Sequence, residues 1–419
     1  MSKLSFFLLI LFAAGLIYSQ SGTGKPQILF SDFVQLPTGD SADVYYCYKI
    51  PLNRLVFEKG SDLFLAQYRV SVEVFDSSGQ KFVTRAIKEK NIQVPDYEQT
   101  RSPLIYSEGL LKLDLSPGTY SIMELLYDYK SGRELRLPSY IMKMEPVQNI
   151  LSPLVVYKNT TECNNLIVLA NYGGKLPFDE NQYSFIIPVK NSKSDSLYVV
   201  VIQKKDTLFK KILTEPLKEK IKLGECGGKI VIDENTEGNI YSLFSINGIS
   251  NSIKEGGFQI NVSEPNESGK QEKFQVGCSW IDKPLSLKNP EMAINALKFI
   301  EKDSVISELL SGDDEDYAAN LAEFWKKTDP TPASEFNPLM QEFYTRIDYA
   351  VKNFATISGT NGAKTDRGKV YIRFGKPGDV DRTSDNHGNI IETWTYNNPQ
   401  RKFVFVDKKG TGDFSLISG

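Results

Sequence analysis

The chain has 419 residues, of which 41% are hydrophobic, 11% aromatic and 24% charged; this is length for about two to four domains and a composition that excludes bulk disorder. Lys and Arg number 49 against 52 Asp and Glu, a formal charge of −3, so the chain lacks the overall positive field that dominates nucleic-acid binding. The single histidine, His387, excludes multi-histidine metal sites and routes any His-based triad through one residue.

At the amino terminus Lys3 precedes an apolar run from Leu4 to Ile17, closed by Tyr18-Ser19-Gln20. A basic start, a short hydrophobic stretch and a small residue predict a signal peptide over residues 1–19. The run is shorter than the roughly 20 residues that span a bilayer, and no later segment is long and apolar enough to do so. The expected location is periplasmic, outer-membrane-associated or secreted. In such a compartment disulfides persist, and of the four cysteines Cys163 and Cys226 are the favoured pair, because both end strand-like runs within one expected domain. Four buried free thiols are the alternative. The sequons at Asn159, Asn261 and Asn266 matter only where the source glycosylates them.

From residue 26 to 145 the pattern is one of strand-length runs with period-two alternation, such as Ala42 to Ile50, Leu63 to Phe75 and Tyr120 to Tyr129. Turn signals separate them, including Asp76-Ser77-Ser78-Gly79 and Ser116-Pro117-Gly118. Short connections without helices predict an antiparallel β-sandwich, immunoglobulin-like in pattern. Pro146 and Pro153 bracket an expected linker, and residues 150–282 predict a second sandwich through runs such as Tyr183 to Val189, Leu197 to Gln203 and Phe274 to Trp280.

At Pro290 the period changes to about 3.6, through Ala293, Ile294, Leu297 and Ile300. A second helix is expected from Asp314 to Lys327, and a third behind the cap Asn337-Pro338, with Phe343, Ile347, Ala350 and Phe354 on its apolar face. The alternation then returns in residues 369–375, 390–396, 402–407 and 413–417, which read as a small antiparallel sheet. The expected fold class is therefore multidomain β plus α+β: two antiparallel Ig-like sandwiches, a helical segment, and a small antiparallel-sheet α+β domain over 285–419.

Candidate chemistry is sparse. The string 358–366 suggests a phosphate loop, but Ser358 and Ala363 stand where a Walker loop needs glycine, and with a strand expected after it no helix start faces the loop. His387 lies among turn-formers. Asp379 with Asp381, and the loop Asp407 to Asp413, lack the ligand spacing of a calcium loop, so neither a metal nor any other cofactor is expected. Lys364, Arg367, Lys369, Arg373 and Lys376 form a dense basic cluster; on a strand, Lys369, Tyr371 and Arg373 share one face, which fits a solvated face or an anion site. Glu342, Asp348, Asp366 and Glu392 are carboxylates from which an acid/base pair is conceivable.

Residues 324–354, 362–380 and 403–417 together resemble a GWxTD-domain protein. The resemblance rests on Trp325 followed by Asp329-Pro330-Thr331-Pro332, on Gly362 leading into Thr365-Asp366-Arg367-Gly368, and on a segment carrying Tyr371 and Arg373 that ends in Gly375-Lys376-Pro377. It covers about residues 285–417, and the layout before it is similar to exported members from Bacteroidota-like bacteria. Ala363 stands where the naming tryptophan is expected, so a core site there implies repacking, because losing a buried tryptophan costs about 3–5 kcal/mol. The resemblance implies a domain of unknown function and no catalytic residues. The motif residues are expected to be structural or binding residues, with Asp366 accepting backbone N–H groups and Arg367 holding helix carboxylates such as Glu342 or Asp348. The functional expectation is an exported, non-enzymatic binding or structural component of the bacterial envelope or secretome, with a protein or envelope-component partner and no nucleic acid. The alternative is a hydrolase of envelope polymers working through carboxylates of the C-terminal domain.

Overall fold

The computed structural model describes residues 28–419 apart from 39–40, 145, 147, 159–166, 171–172, 191–194, 235–239 and 266–270. The chain is mostly β, with antiparallel sheets throughout and one parallel pairing, Lys175–Pro177 against Glu272–Ser279.

Four of the five sheets lie in the first two thirds of the chain and pack face on face. The first sheet has the order Phe30–Thr38, Ser41–Pro51, Tyr106–Leu113. Its central strand alternates, as any strand does, but both of its faces are buried. Val44, Tyr46, Tyr48 and Ile50 point into one core with Tyr68, Val70, Val72 and Val74 of the strand Phe64–Asp76, which belongs to the second sheet. Tyr45 and Cys47 point the other way, into a core shared with Leu154, Val156, Ile186 and Leu243 of a seven-stranded third sheet. That sheet in turn offers Val155, Phe185, Ile187 and Phe244 to the fourth, which contributes Leu197, Val199, Val201 and Ile260. The sequence pattern of two independent sandwiches therefore becomes one stack of four layers, because the facing surfaces of the first and third sheets are both apolar and bury each other. Removing such surfaces from water contributes about 25 cal/mol per Å².

Cys47 and Cys278 are buried and lie outside any disulfide, and Cys226 is disulfide-bonded. Cys163, its expected partner, lies outside the described residues. Burial pushes the Cys47 thiol well above its ordinary value and that of Cys278 up to about 12, which makes both unreactive in the folded chain. Alkylation of the native protein is expected to label neither thiol, whereas alkylation in denaturant labels both while leaving Cys226 protected until a reductant is added. Peptide mapping by mass spectrometry reads the difference.

The C-terminal region builds a separate core from the helices Pro290–Ala296, Tyr317–Lys326, Pro338–Asn353 and Asp366–Phe374 against the sheet Asp379–Ser384, Ile390–Asn397, Gln400–Asp407, Ser415–Ser418. The helix Pro338–Asn353 starts where expected, with Asn337 Oδ1 accepting from Met340 N at 3.0 Å.

One predicted strand is overturned. Residues 369–374 belong to the helix Asp366–Phe374, and Gly375 caps it. Thr365 caps it, its Oγ1 accepting from Gly368 N at 3.1 Å, and Gly375 ends it at φ +77°, a conformation glycine adopts without penalty. The β-branched Val370 and Ile372 supply a period-two signal, yet Arg367, Val370, Tyr371 and Phe374 fall at helical spacing and pack inward. The fourth strand of the sheet is Asp379–Ser384 instead, exposed along its whole length and so without the alternation that betrays a strand. The expected context of the 358–366 string is corrected with it: a helix does follow, but Thr365 Oγ1 and the Asp366 side chain already occupy its amino-terminal turn.

Candidate functional site: a cleft between three regions

The family-motif residues do not converge on one pocket. Trp325 is buried against Phe343 and Tyr344, its Nε1 donating to Tyr344 Oη at 3.3 Å. Asp329 turns the chain after that helix by accepting from Thr331 N at 2.7 Å, with Pro330 exposed beside it.

The second half of the motif forms a clasp. Gly362 and Gly368 sit where backbones touch. A Cβ on Gly362 would lie 2.7 Å from Ala355 N, and one on Gly368 would lie 2.9 Å from the carbonyl carbon of Gly362, so only glycine allows the helix Pro338–Asn353 to approach the start of Asp366–Phe374. Thr365 Oγ1 also donates to Gly362 O at 2.8 Å. Asp366 Oδ2 accepts from Leu416 N at 3.0 Å, tying the helix to the last strand, and Oδ1 pairs with Lys369 at 3.2 Å. Arg367 is 8% exposed. Its guanidinium lies 4.0 Å from the Phe414 ring centre and 5.3 Å from that of Phe354, and it bonds Glu392 at 3.4 Å and Gly412 O at 3.1 Å.

The expected partners of Arg367 are thus corrected: it holds a sheet carboxylate. Glu342 pairs with Arg346 on its own helix, and Asp348 accepts from Leu285 N and Ser286 N. Burial alone would raise the Glu392 carboxyl, but hydrogen bonds from Arg382 and Trp394 and the Arg367 charge outweigh it and hold it below the usual range. Ala363 is buried at 3% in the same core, so the space beside the clasp is filled without the naming tryptophan.

The basic cluster is dispersed by the helix. Arg367 faces inward, Lys369 and Arg373 are exposed, and Lys376 lies at the helix end. Asp407 spends its carboxylate on the N–H groups of its own loop, Lys409, Thr411 and Gly412. His387 is an exposed turn residue whose N–H bonds Asp385. Among the described residues no group of three or more His, Cys, Asp or Glu side chains gathers to hold a metal.

Residues 266–416 match the family model of the GWxTD domain. The chain carries a GWxTD domain. No curated protein matches the chain. Within the GWxTD domain the signature Gly362, Thr365, Asp366, Arg367 and Gly368 joins helix to helix and helix to sheet.

A concavity lies where the C-terminal helices meet the β stack. A cleft of about 980 Å³ is lined by Leu104, Tyr106 and Glu108 beside and within the first sheets, by Phe178 and Asp179 beside the second pair, by Asp282 in the turn after the strand Glu272–Ser279, and by Phe336, Gln341 and Thr345 of the C-terminal helical region. Tyr371, Gly375 and Lys376 of the motif segments reach it. Tyr371 stacks on Tyr349 with ring centres 4.4 Å apart, and burial pushes its hydroxyl up to about 12. Gly375 N donates to Tyr371 O at 2.7 Å and Tyr396 Oη donates to Gly375 O at 2.9 Å; Pro377 follows and prevents the helix from continuing.

Phe336 fixes the two bodies together. Its ring lies 5.4 Å from Phe178 and 5.5 Å from Trp280, edge-on to both, at 4% exposure. Phe336→Ala is expected to cost about 3 kcal/mol and to split a single unfolding transition into two, which differential scanning calorimetry reads directly.

The cleft carries charges of both signs, with Arg346 and Lys376 lining it as well as Glu180 and Glu342. Lys49 and Lys229 both bond Glu108 Oε1, at 3.2 and 2.9 Å, with Lys49 and Glu108 almost wholly buried. On the opposite wall Asp179 accepts from Tyr183 Oη at 2.8 Å and Asp282 accepts from Gln341 Nε2. Burial raises the Asp282 carboxyl, a bond from its own backbone N–H and one from Gln341 oppose the rise, and the charge of Asp179 adds to it. These residues stand far apart in sequence and carry no local motif; the one signal that points to them is a buried charge beside a sheet edge, visible only in three dimensions.

No helix among the described residues is long and apolar enough to cross a membrane.

Proposed function

We propose that this protein is an exported, non-enzymatic binding component of the bacterial envelope or secretome, and that it binds through the cleft between the β stack and the GWxTD domain. The observation that carries this reading is the lining: three regions of the chain, each with its own core, contribute polar and aromatic side chains to one concavity of about 980 Å³, the setting in which ligand sites ordinarily form. Export rests on the residue pattern at positions 1–19. Both two-sheet packings are read as sandwiches that hold the lips of the cleft.

The hydrolase reading is weaker on one specific ground. A general acid or base needs a carboxyl free to exchange a proton, whereas Glu392 is enclosed by Arg367, Arg382 and Trp394, and Asp366, Asp348 and Asp407 accept backbone N–H groups.

The test places a photo-crosslinking residue at Thr345, an exposed position lining the cleft, and in a second protein at Ser415, on the edge strand of the GWxTD sheet. In the native envelope fraction the reading predicts a discrete adduct from position 345 and none from 415. Equal adducts from both, or none from either, would count against it.

A further inference from the structure

The chain holds two Asn-Gly pairs, Asn247-Gly248 and Asn361-Gly362, and the fold treats them oppositely. In such a pair the glycine backbone nitrogen, its proton lost to hydroxide, attacks the asparagine Cγ. A C–N bond forms, the Cγ–Nδ2 bond breaks, and the leaving nitrogen takes a proton from water and departs as ammonia. Water then opens the cyclic imide at either carbonyl, giving aspartate or isoaspartate. Glycine sets no Cβ in the way and has the widest backbone freedom, so the rate is decided by whether the peptide between the two residues can turn.

At Asn361 it is held. Asn361 Oδ1 accepts from Ala363 N and its backbone carbonyl from Lys364 N, both at 2.9 Å. Gly362 is buried, and a Cβ on it would lie 2.8 Å from the carbonyl carbon of Phe354, so turning this peptide breaks the clasp. Asn247 and Gly248 are both exposed and follow Ile246, the residue that closes the pairing of Tyr241–Ile246 with Ser184–Lys190. Among the described residues neither the Asn247 side chain nor the Gly248 N–H has a hydrogen-bond partner. Gly248 sits at φ +74°, with nothing within 4 Å of a Cβ built on it.

We infer that Asn247 is a site of spontaneous deamidation and isoaspartate formation, and that its conversion loosens the seat of the C-terminal region on the β stack. The second half follows from the residues that come next. Ile249 is buried in the core of the second sheet pair. Ser250 Oγ accepts from Tyr183 N at 3.0 Å, and Asn251 O accepts from Glu335 N at 2.8 Å, beside the Lys254–Glu335 pair at 3.7 Å. Glu335 immediately precedes Phe336, the ring that meets Phe178 and Trp280. Isoaspartate routes the main chain through the side-chain methylene, which puts an extra carbon and a new carboxylate just ahead of these contacts and draws Asn251 O away from Glu335 N. This inference is independent of what the cleft binds.

Incubation of the purified full chain in mildly alkaline buffer, followed by peptide mapping, tests the site, and isoaspartyl methyltransferase labelling distinguishes isoaspartate from aspartate. In the folded protein Asn247 is expected to convert about tenfold faster than Asn361, whose reaction waits on local opening. In urea the two rates are expected to converge. Equal rates in the folded protein, faster conversion at Asn361, or protection of Asn247 until urea is added would overturn the assignment. Scanning calorimetry of the same samples reads the consequence. Aged wild type is expected to melt at a lower temperature than fresh protein. Asn247→Gln, whose longer side chain closes a ring far more slowly, is expected to keep its own melting temperature through the same incubation. An equal fall in Asn247→Gln, or no fall in wild type once Asn247 has converted, would overturn the link to the seat of the C-terminal region.

Discussion

Replacing Gly368 with alanine is expected to lower the stability of the GWxTD domain by about 3 kcal/mol, the upper part of the usual range for overpacking. The added Cβ would meet the carbonyl group of Gly362 and, at 3.0 Å, Ala363 Cα. Both are backbone atoms, which cannot rotate away as a side-chain tip does. Relief requires the helix Asp366–Phe374 to retreat from Pro338–Asn353, and that displaces Arg367 from Glu392. Urea unfolding followed by tryptophan fluorescence is suited to the measurement, because Trp325 and Trp394 both lie in this core. Gly359→Ala is the control. Its φ is +87° but nothing lies within 4 Å of the new Cβ, so only the conformational penalty of about 1 kcal/mol remains. Equal losses for the two variants would show that steric contact at Gly368 is not the cause.

The second large effect is expected at Arg367. Its truncation to alanine leaves Glu392, 2% exposed, with the exposed Arg382 as its remaining cation, strands Gly412 O, and removes the cation from between Phe354 and Phe414. Breaking a buried pair from one side costs about 3 kcal/mol or more. Arg367→Lys should recover part of this, since an ammonium restores charge but not the planar contacts with two rings and two acceptors. The pH dependence follows from the direction of the Glu392 shift. Its folded carboxyl is held below the ordinary value, so the stabilisation is complete above the unfolded value of about 4.3 and is lost as pH falls through the folded one. The gap between wild type and Arg367→Ala is therefore expected to be widest near neutrality and to close in acid. A gap that stays constant down to the acid transition would contradict the assignment.

Much of the fold was legible because the β regions obey period-two alternation and the helices carry caps. The strand at 41–51, the helix behind Asn337-Pro338 and the strand at 390–397 follow from pattern alone. What misled was the segment 369–375, where Val370 and Ile372 mimic a strand while the deciding signals, a threonine cap before it and a left-handed glycine after it, are single residues. The strand Asp379–Ser384 was illegible for the opposite reason: both of its faces are solvated, so nothing alternates. The stacking of the first and third sheets was also out of reach, since a strand buried on both faces and a strand buried on one differ only in what Tyr45 and Cys47 touch.

The same contrast holds for the site. The signature residues stood out by spacing, but Asp366 opens a helix instead of a tight turn and accepts its backbone N–H from Leu416 of the last strand, and the partner of Arg367 came from the sheet and not from a helix. The cleft residues Glu108, Asp179 and Asp282 had no spacing to notice. They meet because Phe336 seats the GWxTD domain against Phe178 and Trp280, a contact between regions about sixty and more than a hundred and fifty residues apart in the chain. In such a case a motif marks the scaffold, and a concavity is made by how scaffolds dock.

We propose that the GWxTD signature builds the domain while binding occurs in the cleft. Asp366→Ala, measured for both properties in one preparation, tests it most directly. The substitution removes the acceptor for Leu416 N and a negative charge at a helix amino terminus, with an expected cost of about 1 kcal/mol. A lowered urea midpoint with cross-linking from position 345 unchanged is expected. An unchanged midpoint with the cross-link abolished would make the signature the site.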